Sequence, residues 1–188
     1  MAASWSIPIS PEGRQWYQGS MSLESTMYSH SYTTMLPPPQ SWPWMTSLFL
    51  QQMSSMSLAV AEGDVKPSEG LYINAHGTST KLNDSSETAG IKRALGEDAA
   101  RAAHVSSTKS MTGHMIGATG AIEVMACAMA LEQGVVPPTI NYHTPDPACD
   151  LDYTPNRAVR ADLTWALSTN LGFGGHNAAI ALRRYTRS

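Results

Sequence analysis

The sequence predicts an α/β fold in which parallel strands are followed by an antiparallel hairpin. From Leu71 onward, short β-rich runs alternate with longer runs of helical character. Near the C-terminus two further β-rich runs, "WALSTN" and "NAAIALRRY", are joined by the glycine-rich turn "LGFGGH". The resulting order, β-α-β-α-loop-β-β, is typical of a parallel layer that ends in a hairpin.

Turn and capping residues mark the first strand and the first helix. The run "LYINA" is rich in β-forming side chains and ends at "HGTST", which is a turn signal. Asp84 or Ser85 has the residue type that caps a helix. That helix is predicted to run to about Leu95, with Glu87 in its first turn.

A longer helix follows the second strand, which is predicted at "HVSSTK". It is predicted from Gly113 to about Gln133, with Thr112 as its cap and Gly134 as the glycine that ends it. Apolar or small residues occupy almost every face, so we expect this helix to be buried between sheets. His114 is expected in its first turn, where free N–H groups point into the protein.

A change in composition ahead of the first strand divides the chain. Residues 1–70 contain two basic side chains, Arg14 and Lys66, and four of the five tryptophans, together with three consecutive prolines. Proline runs prevent helix and favour extended geometry. We therefore predict an atypical leader over residues 1–57, for which disorder and a shifted reading frame are both open explanations. The folded domain is predicted over residues 58–188.

The overall charge and the cysteine content narrow the class of protein. The net charge is −3 and no dense run of lysine and arginine occurs, so neither nucleic acid nor an anionic membrane is expected as a partner. Cys127 and Cys149 make no disulfide framework, which favours a reducing compartment and a cytoplasmic location. The N-terminus lacks a basic start followed by an apolar core, so no secretion signal is expected, and no segment has the pattern of a membrane span.

His76 and His114 differ in position from the other four histidines. Each follows a β-rich run and lies beside glycine and threonine. Because ligand sites in α/β sheets gather at the carboxyl ends of strands, the two imidazoles are expected to lie close together. Two neutral rings that direct an N–H at one oxygen would stabilise an oxyanion. A zinc site is a weaker interpretation, since there is no close histidine pair at helical spacing and no third ligand nearby.

Four segments in this order carry a resemblance to a known family: "NAHGTST", "SSTKSMTGH", "GAIE" and "NLGFGGHN". Over about residues 71–185 the chain resembles the C-terminal half of an elongating, type II β-ketoacyl-acyl-carrier-protein synthase of the thiolase superfamily. The ketosynthase domains of polyketide synthases are similar but commonly contain "HGTGT" at the first segment. The segments "HGTST" and "KSMTGH" therefore favour the fatty-acid enzyme. A piece of a polyketide synthase remains the alternative. The resemblance implies one half of the duplicated, layered α-β-α-β-α thiolase-like fold.

The resemblance also implies an acyltransferase reaction. Malonyl-acyl-carrier protein loses carbon dioxide and condenses with an acyl thioester in fatty-acid elongation. By resemblance, His76 and His114 stabilise the enolate oxygen and Lys109 is the family's site lysine. Glu123 is its expected charge partner, because a buried lysine needs one.

Further expectations concern the substrate and the partners. The resemblance assigns Thr78 and Thr80 to the phosphopantetheine arm of the substrate, and Phe173 to a gate beside the nucleophile. No cofactor is expected apart from the phosphopantetheine carried by acyl carrier protein, which is the expected partner. Full-length members are expected to be homodimers.

The family nucleophile is a cysteine of the N-terminal half, and that half has no recognisable counterpart in this sequence. Cys127 lies among alanine and methionine and Cys149 beside acidic residues, and neither setting activates a thiol. The chain is therefore expected to be a truncated synthase. The alternative is a catalytically inactive fragment that only binds carrier protein or a full-length subunit.

Overall fold

The computed structural model describes residues 16–19, 22–23, 25–26, 29–33, 54–80, 82–172 and 176–186. Its strands are β1 (Trp16–Gly19), β2 (Ser22–Leu23), β3 (Ser25–Thr26), β4 (Ser29–Thr33), β5 (Leu71–Asn74), β6 (His104–Ser106), β7 (Val135–Val136), β8 (Val159–Arg160), β9 (Trp165–Gly172) and β10 (His176–Arg183). Its helices are α1 (54–62), α2 (Asn83–Leu95), α3 (Glu97–Ala102), α4 (Lys109–Thr112) and α5 (Thr119–Gln133). Short 3-10 turns cover Pro67–Glu69 and Ile116–Ala118.

A central sheet organises the described part of the chain, with strand order β1-β4-β10-β9-β5-β6. Strand β5 is parallel to both β6 and β9, whereas β9 and β10 form an antiparallel hairpin. The predicted parallel layer with a terminal hairpin is therefore confirmed. The parallel strands β5 and β6 end at the same edge of the sheet, so the segments that follow them meet there.

Side chains that alternate along the strands form a hydrophobic core on each face of the sheet. Tyr72 of β5 and Ala166 of β9 pack with Cys127 of α5, while Ile73 and Leu167, the next residues along each strand, pack on the opposite side. The opposite side is covered by α1, α2 and α3, whose buried members are Met56, Ala59, Ile91 and Ala100. This division follows from the two-residue period of a strand. It gives a layered α/β arrangement that fits half of a thiolase-like fold.

The prediction of one long helix over residues 113–133 is wrong for its first part. The chain forms the short α4, leaves helical geometry after Thr112, and starts α5 only at Thr119. Left-handed backbone at Gly113 (φ +71°) and at Ile116 (φ +50°) causes the interruption, because a right-handed helix cannot contain it. The predicted C-terminal end is confirmed: Gly134 adopts the left-handed conformation with φ 62° and ψ 40°.

The burial of α5 also differs from the prediction. One face of the helix packs on the sheet, but Met125 and Met129 on the opposite face are 53% and 55% exposed in the part of the chain that the structure describes. The expectation of a helix enclosed on all sides is therefore wrong for the described residues, because no described element covers that face. No described helix combines the length and the apolar character needed to cross a membrane.

Other boundaries agree with the sequence only in part. The prediction that Asp84 or Ser85 caps helix α2 is wrong: the helix begins at Asn83, and the cap position is Leu82, whose side chain has no acceptor. Asp84 lies in the first turn, where its carboxylate accepts the Ser79 N–H at 3.1 Å. Helix α3 and the β7–β8 pair were not predicted, and neither were strands β1 to β4. The division into a leader over 1–57 and a domain over 58–188 stays a prediction.

Candidate active site at the strand ends

Two imidazole rings lie together beyond the carboxyl ends of β5 and β6. His76 comes two residues after β5, and His114 follows α4, the short helix that continues from β6. Their ring centroids are 5.5 Å apart and the ring planes are nearly perpendicular, at 86°. The structure therefore brings together two histidines that are well separated in the sequence, as the strand-end argument predicts.

A backbone hydrogen bond determines which nitrogen of His76 carries the proton. The N–H of Leu171 donates to Nδ1 of His76 at 3.3 Å. An acceptor nitrogen in a neutral ring is unprotonated, so the proton of His76 lies on Nε2. Burial, followed by the nearby charge of Lys109, lowers the pKa of His76 to about 4. The ring is therefore a neutral Nε2–H donor at neutral pH.

His114 has the same tautomer, although it does not lie in a helix as predicted. It is in the loop between α4 and α5, where the N–H of Ile116 donates to its Nδ1 at 3.1 Å. The hydroxyl of Thr119 lies 3.3 Å from the same nitrogen and accepts the N–H of Met115 at 2.8 Å. The positive φ of Ile116 is costly for a β-branched residue, and here it directs the N–H toward the ring.

A buried ion pair lies beside the two histidines. Nζ of Lys109 donates to Oε1 of Glu123 at 2.5 Å, and both side chains are almost fully buried. The second carboxylate oxygen of Glu123 accepts the side-chain amide of Asn170 at 2.7 Å. The predicted pairing of Lys109 with Glu123 thus occurs in the structure. Asn170 was not predicted, because its contact with Glu123 joins β9 to α5.

Glu87 is a second buried carboxylate near the site, and it has no lysine or arginine partner among the described residues. One oxygen accepts the N–H of His76 (2.8 Å) and the hydroxyl of Thr169 (3.1 Å), and the other accepts the N–H of Gly77 (2.8 Å) and the amide of Asn83 (3.3 Å). Burial raises the pKa of Glu87. The carboxylate therefore fixes the backbone that carries His76. The sequence predicted Glu87 only as a residue of the first helical turn.

A cavity of about 730 Å³ opens beside these groups. Its wall includes Lys109, His114, Thr78 and Thr80, and the two threonine hydroxyls lie 3.1 Å apart. Residues of the segment 139–146 also line the cavity. The cavity therefore gives access to His114, whereas His76 is not among the residues that line it. Phe173, the remaining predicted site residue, lies outside the described residues.

Neither cysteine has the surroundings of an activated thiol. Cys127 is fully buried in α5, and burial raises the pKa of its thiol. Cys149 lines the cavity, and burial again raises the pKa of its thiol. A thiol with a raised pKa supplies little thiolate, so neither residue fits the role of a nucleophile. Among the described residues, no group of three or more histidine, cysteine or acidic side chains could hold a metal ion.

These features define a class of protein: an α/β protein with paired imidazole donors and a buried lysine–glutamate pair at the ends of parallel strands. Comparison with known proteins identifies the family. The family described as "Beta-ketoacyl synthase, C-terminal domain" matches residues 46–143, which is half of the chain. The chain belongs to the β-ketoacyl synthase family.

Individual relatives agree with this assignment. The 3-oxoacyl-[acyl-carrier-protein] synthase 2 of Synechocystis sp. is 50% identical over 131 residues, and that of Staphylococcus aureus is 48% identical over the same length. The match covers 70% of this chain but 31% of each relative, so the chain spans about a third of their length. A solved structure of a type II polyketide synthase acyl-carrier protein in complex with its ketosynthase is 37% identical, with a TM-score of 0.69 over 82% of this chain and 37% of that chain.

Proposed function

We propose that this chain provides the malonyl-decarboxylating part of a β-ketoacyl-acyl-carrier-protein synthase of fatty-acid elongation. The observation that carries the proposal is the pair of neutral imidazoles whose Nδ1 atoms both accept backbone N–H groups. That arrangement leaves an Nε2–H on each ring as a donor for one developing oxyanion. Higher identity to the two synthase 2 relatives than to the polyketide ketosynthase favours the fatty-acid enzyme over the polyketide alternative.

The proposed step converts a malonyl thioester into an enolate. The bond between the terminal carboxylate and the α-carbon breaks, carbon dioxide leaves, and the electron pair delocalises onto the thioester oxygen. His76 and His114 donate their Nε2–H groups to that oxygen, and removal of one such donor typically raises the barrier by about 3–4 kcal/mol. In the absence of an acyl acceptor, a proton from water quenches the enolate to an acetyl thioester. Lys109 adds positive charge near the site and is held by Glu123.

The substrate arm is proposed to lie in the cavity. Thr78 and Thr80 offer adjacent hydroxyls that can hydrogen-bond the amides of phosphopantetheine, so we propose acyl carrier protein as the partner and no further cofactor. For the acyl-transfer step, Phe173 is proposed as the gate and a cysteine outside this sequence as the nucleophile, because Cys127 and Cys149 are unsuited to it. We also propose a homodimer for the full-length enzyme and a cytoplasmic location.

A decarboxylation assay tests this proposal. The purified chain is incubated with malonyl-acyl-carrier protein, and carbon dioxide release is measured for the wild type, His114→Ala and a control, His104→Ala, whose histidine lies on β6 and does not line the cavity. We expect release by the wild type and by the control, and a loss of about 100-fold or more in His114→Ala. Binding of the carrier protein without release would overturn the proposal in favour of the binding-only alternative.

A further inference from the structure

Asn74 places a buried amide at the end of an otherwise hydrophobic strand. It is the last residue of β5, after Leu71, Tyr72 and Ile73, and it is completely buried. A buried amide is costly unless its hydrogen-bonding groups are satisfied. The Asn74 oxygen accepts the N–H of Thr108 at 3.4 Å and its hydroxyl at 3.3 Å, and the Asn74 NH₂ group donates to the same hydroxyl at 3.1 Å. Asn74 therefore connects the end of β5 to the segment that follows β6.

Thr108 directs its hydroxyl to Asn74 and not to its own helix. It occupies the position before α4, where threonine commonly caps a helix, yet its side chain makes no cap. Both residues are buried, so water does not compete for the hydrogen bonds between them. The hydroxyl of Thr108 thus serves a contact between two segments of the chain and not the local end of a helix.

We propose that Asn74 and Thr108 are positioning residues that fix Lys109 relative to His76. His76 lies two residues after Asn74, and Lys109 directly follows Thr108. The contact therefore joins the two segments that carry these site residues. The ion pair with Glu123 holds the end of the Lys109 side chain, whereas Thr108 holds the backbone at the start of α4. The effect on decarboxylation rests on the proposed function, but the position of Lys109 can be measured without turnover.

Proton exchange at the Lys109 ammonium group tests the proposal in the full 188-residue chain. With ¹⁵N-labelled lysine, NMR measures how fast the Nζ protons of Lys109 exchange with water. Thr108→Val keeps the shape of the side chain and removes the hydroxyl, so the start of α4 should loosen and the exchange should become at least about tenfold faster. Thr108→Ser keeps the hydroxyl and should exchange like the wild type.

Two further variants separate a positioning role from a general loss of stability. Thr154→Val is the matched control, because Thr154 is also buried and its hydroxyl donates to the carbonyl of Val105 at 3.0 Å. It should lower the melting temperature about as much as Thr108→Val and leave the Lys109 exchange unchanged. Asn74→Ala should accelerate the exchange as Thr108→Val does, and the double variant no further, because both substitutions remove one contact. The Thr108 variants decide the outcome where Asn74→Ala does not fold.

Carbon dioxide release from malonyl-acyl-carrier protein gives the second readout. Thr108→Val should lower kcat at least about tenfold and change KM by less than about twofold, because the substrate arm still binds while Lys109 is displaced. Thr108→Ser should retain the wild-type kcat. Slow Lys109 exchange in Thr108→Val, equal acceleration in Thr154→Val, or a wild-type kcat in Thr108→Val would overturn the proposal. Faster exchange in Thr108→Val without carbon dioxide release by any form, the wild type included, would contradict the proposed function and still support the positioning of Lys109.

Discussion

The N–H of Leu171 donates to Nδ1 of His76 across 95 residues of sequence, and this bond links the end of β9 to the end of β5. A backbone N–H cannot act as an acceptor, so the bond holds the neutral ring of His76 in the Nε2–H form. His114 reaches the same form through Ile116, two residues away. One contact is set by the sheet and the other by a local turn, yet both leave the same nitrogen as a donor.

The carboxylate of Glu87 should be essential for the geometry of the segment around His76. Replacing it by glutamine turns one acceptor oxygen into an NH₂ group that faces backbone or side-chain donors, so we expect the free energy of unfolding to fall by about 1–3 kcal/mol. Denaturant unfolding of Glu87→Gln measures this loss. Glu62→Gln, at an exposed position near the end of α1, is the control. Equal stability of the two variants would show that the buried carboxylate has no anchoring role.

Lys109 and Glu123 form a buried ion pair, so removal of one partner should lower the free energy of unfolding more than removal of both charges. Lys109→Met leaves the Glu123 carboxylate buried without its cation, and we expect a loss of about 3–5 kcal/mol. In Lys109→Met/Glu123→Gln the charge is gone and the glutamine oxygen can still accept the amide of Asn170, so much of the stability should return.

The measurement is a double-mutant cycle of unfolding free energies. Lys66→Met, at a half-exposed lysine, supplies the cost of losing an ordinary surface cation. If the double variant is less stable than Lys109→Met alone, the two residues do not form the pair described.

Acid should destabilise the fold through His76. Its pKa is about 4 in the folded chain against an ordinary value of 6.5, so between these values the unfolded chain binds the additional proton. Stability should therefore fall as the pH drops from 6.5 to about 4, by roughly 2–3 kcal/mol from this residue alone. Above about pH 7.5, where the imidazole is unprotonated in both states, the residue should contribute almost no pH dependence.

Unfolding free energies at several pH values, compared between the wild type and His76→Gln, measure this contribution. The wild type should lose more stability than the variant across that window, and His143→Gln controls for the loss of an exposed imidazole. Parallel curves for wild type and His76→Gln would contradict the lowered pKa.

The sequence predicts the strands of the site better than the segment between them. Strands β5, β6, β9 and β10 follow from local β-rich runs, and their positions suffice to place His76 near His114. The break before α5 is different. The apolar pattern continues through residues 113–118 without a proline, so periodicity predicts one helix. The left-handed backbone of Ile116, whose N–H donates to the ring of His114, has no counterpart in that pattern.

The supporting residues of the site are also hard to obtain from sequence. Glu87 and Thr169 meet across 82 positions, and Asn170 and Glu123 across 47, so no local pattern connects them. The position of Glu87 on its helix could have indicated its role. It lies on the buried side of α2 together with Gly90 and Ile91, where a carboxylate is unexpected unless hydrogen-bond donors satisfy it.

Ring-nitrogen NMR can determine whether His76 and His114 both present a protonated Nε2 to one oxygen. In the ¹⁵N-labelled chain at pH 8, long-range proton–nitrogen correlations identify the protonated nitrogen of each ring. We expect a protonated Nε2 and an unprotonated Nδ1 in both histidines, with both Nε2 signals shifting when a malonyl thioester is added. A proton on Nδ1 of either ring, or a thioester-induced shift in neither, would contradict it.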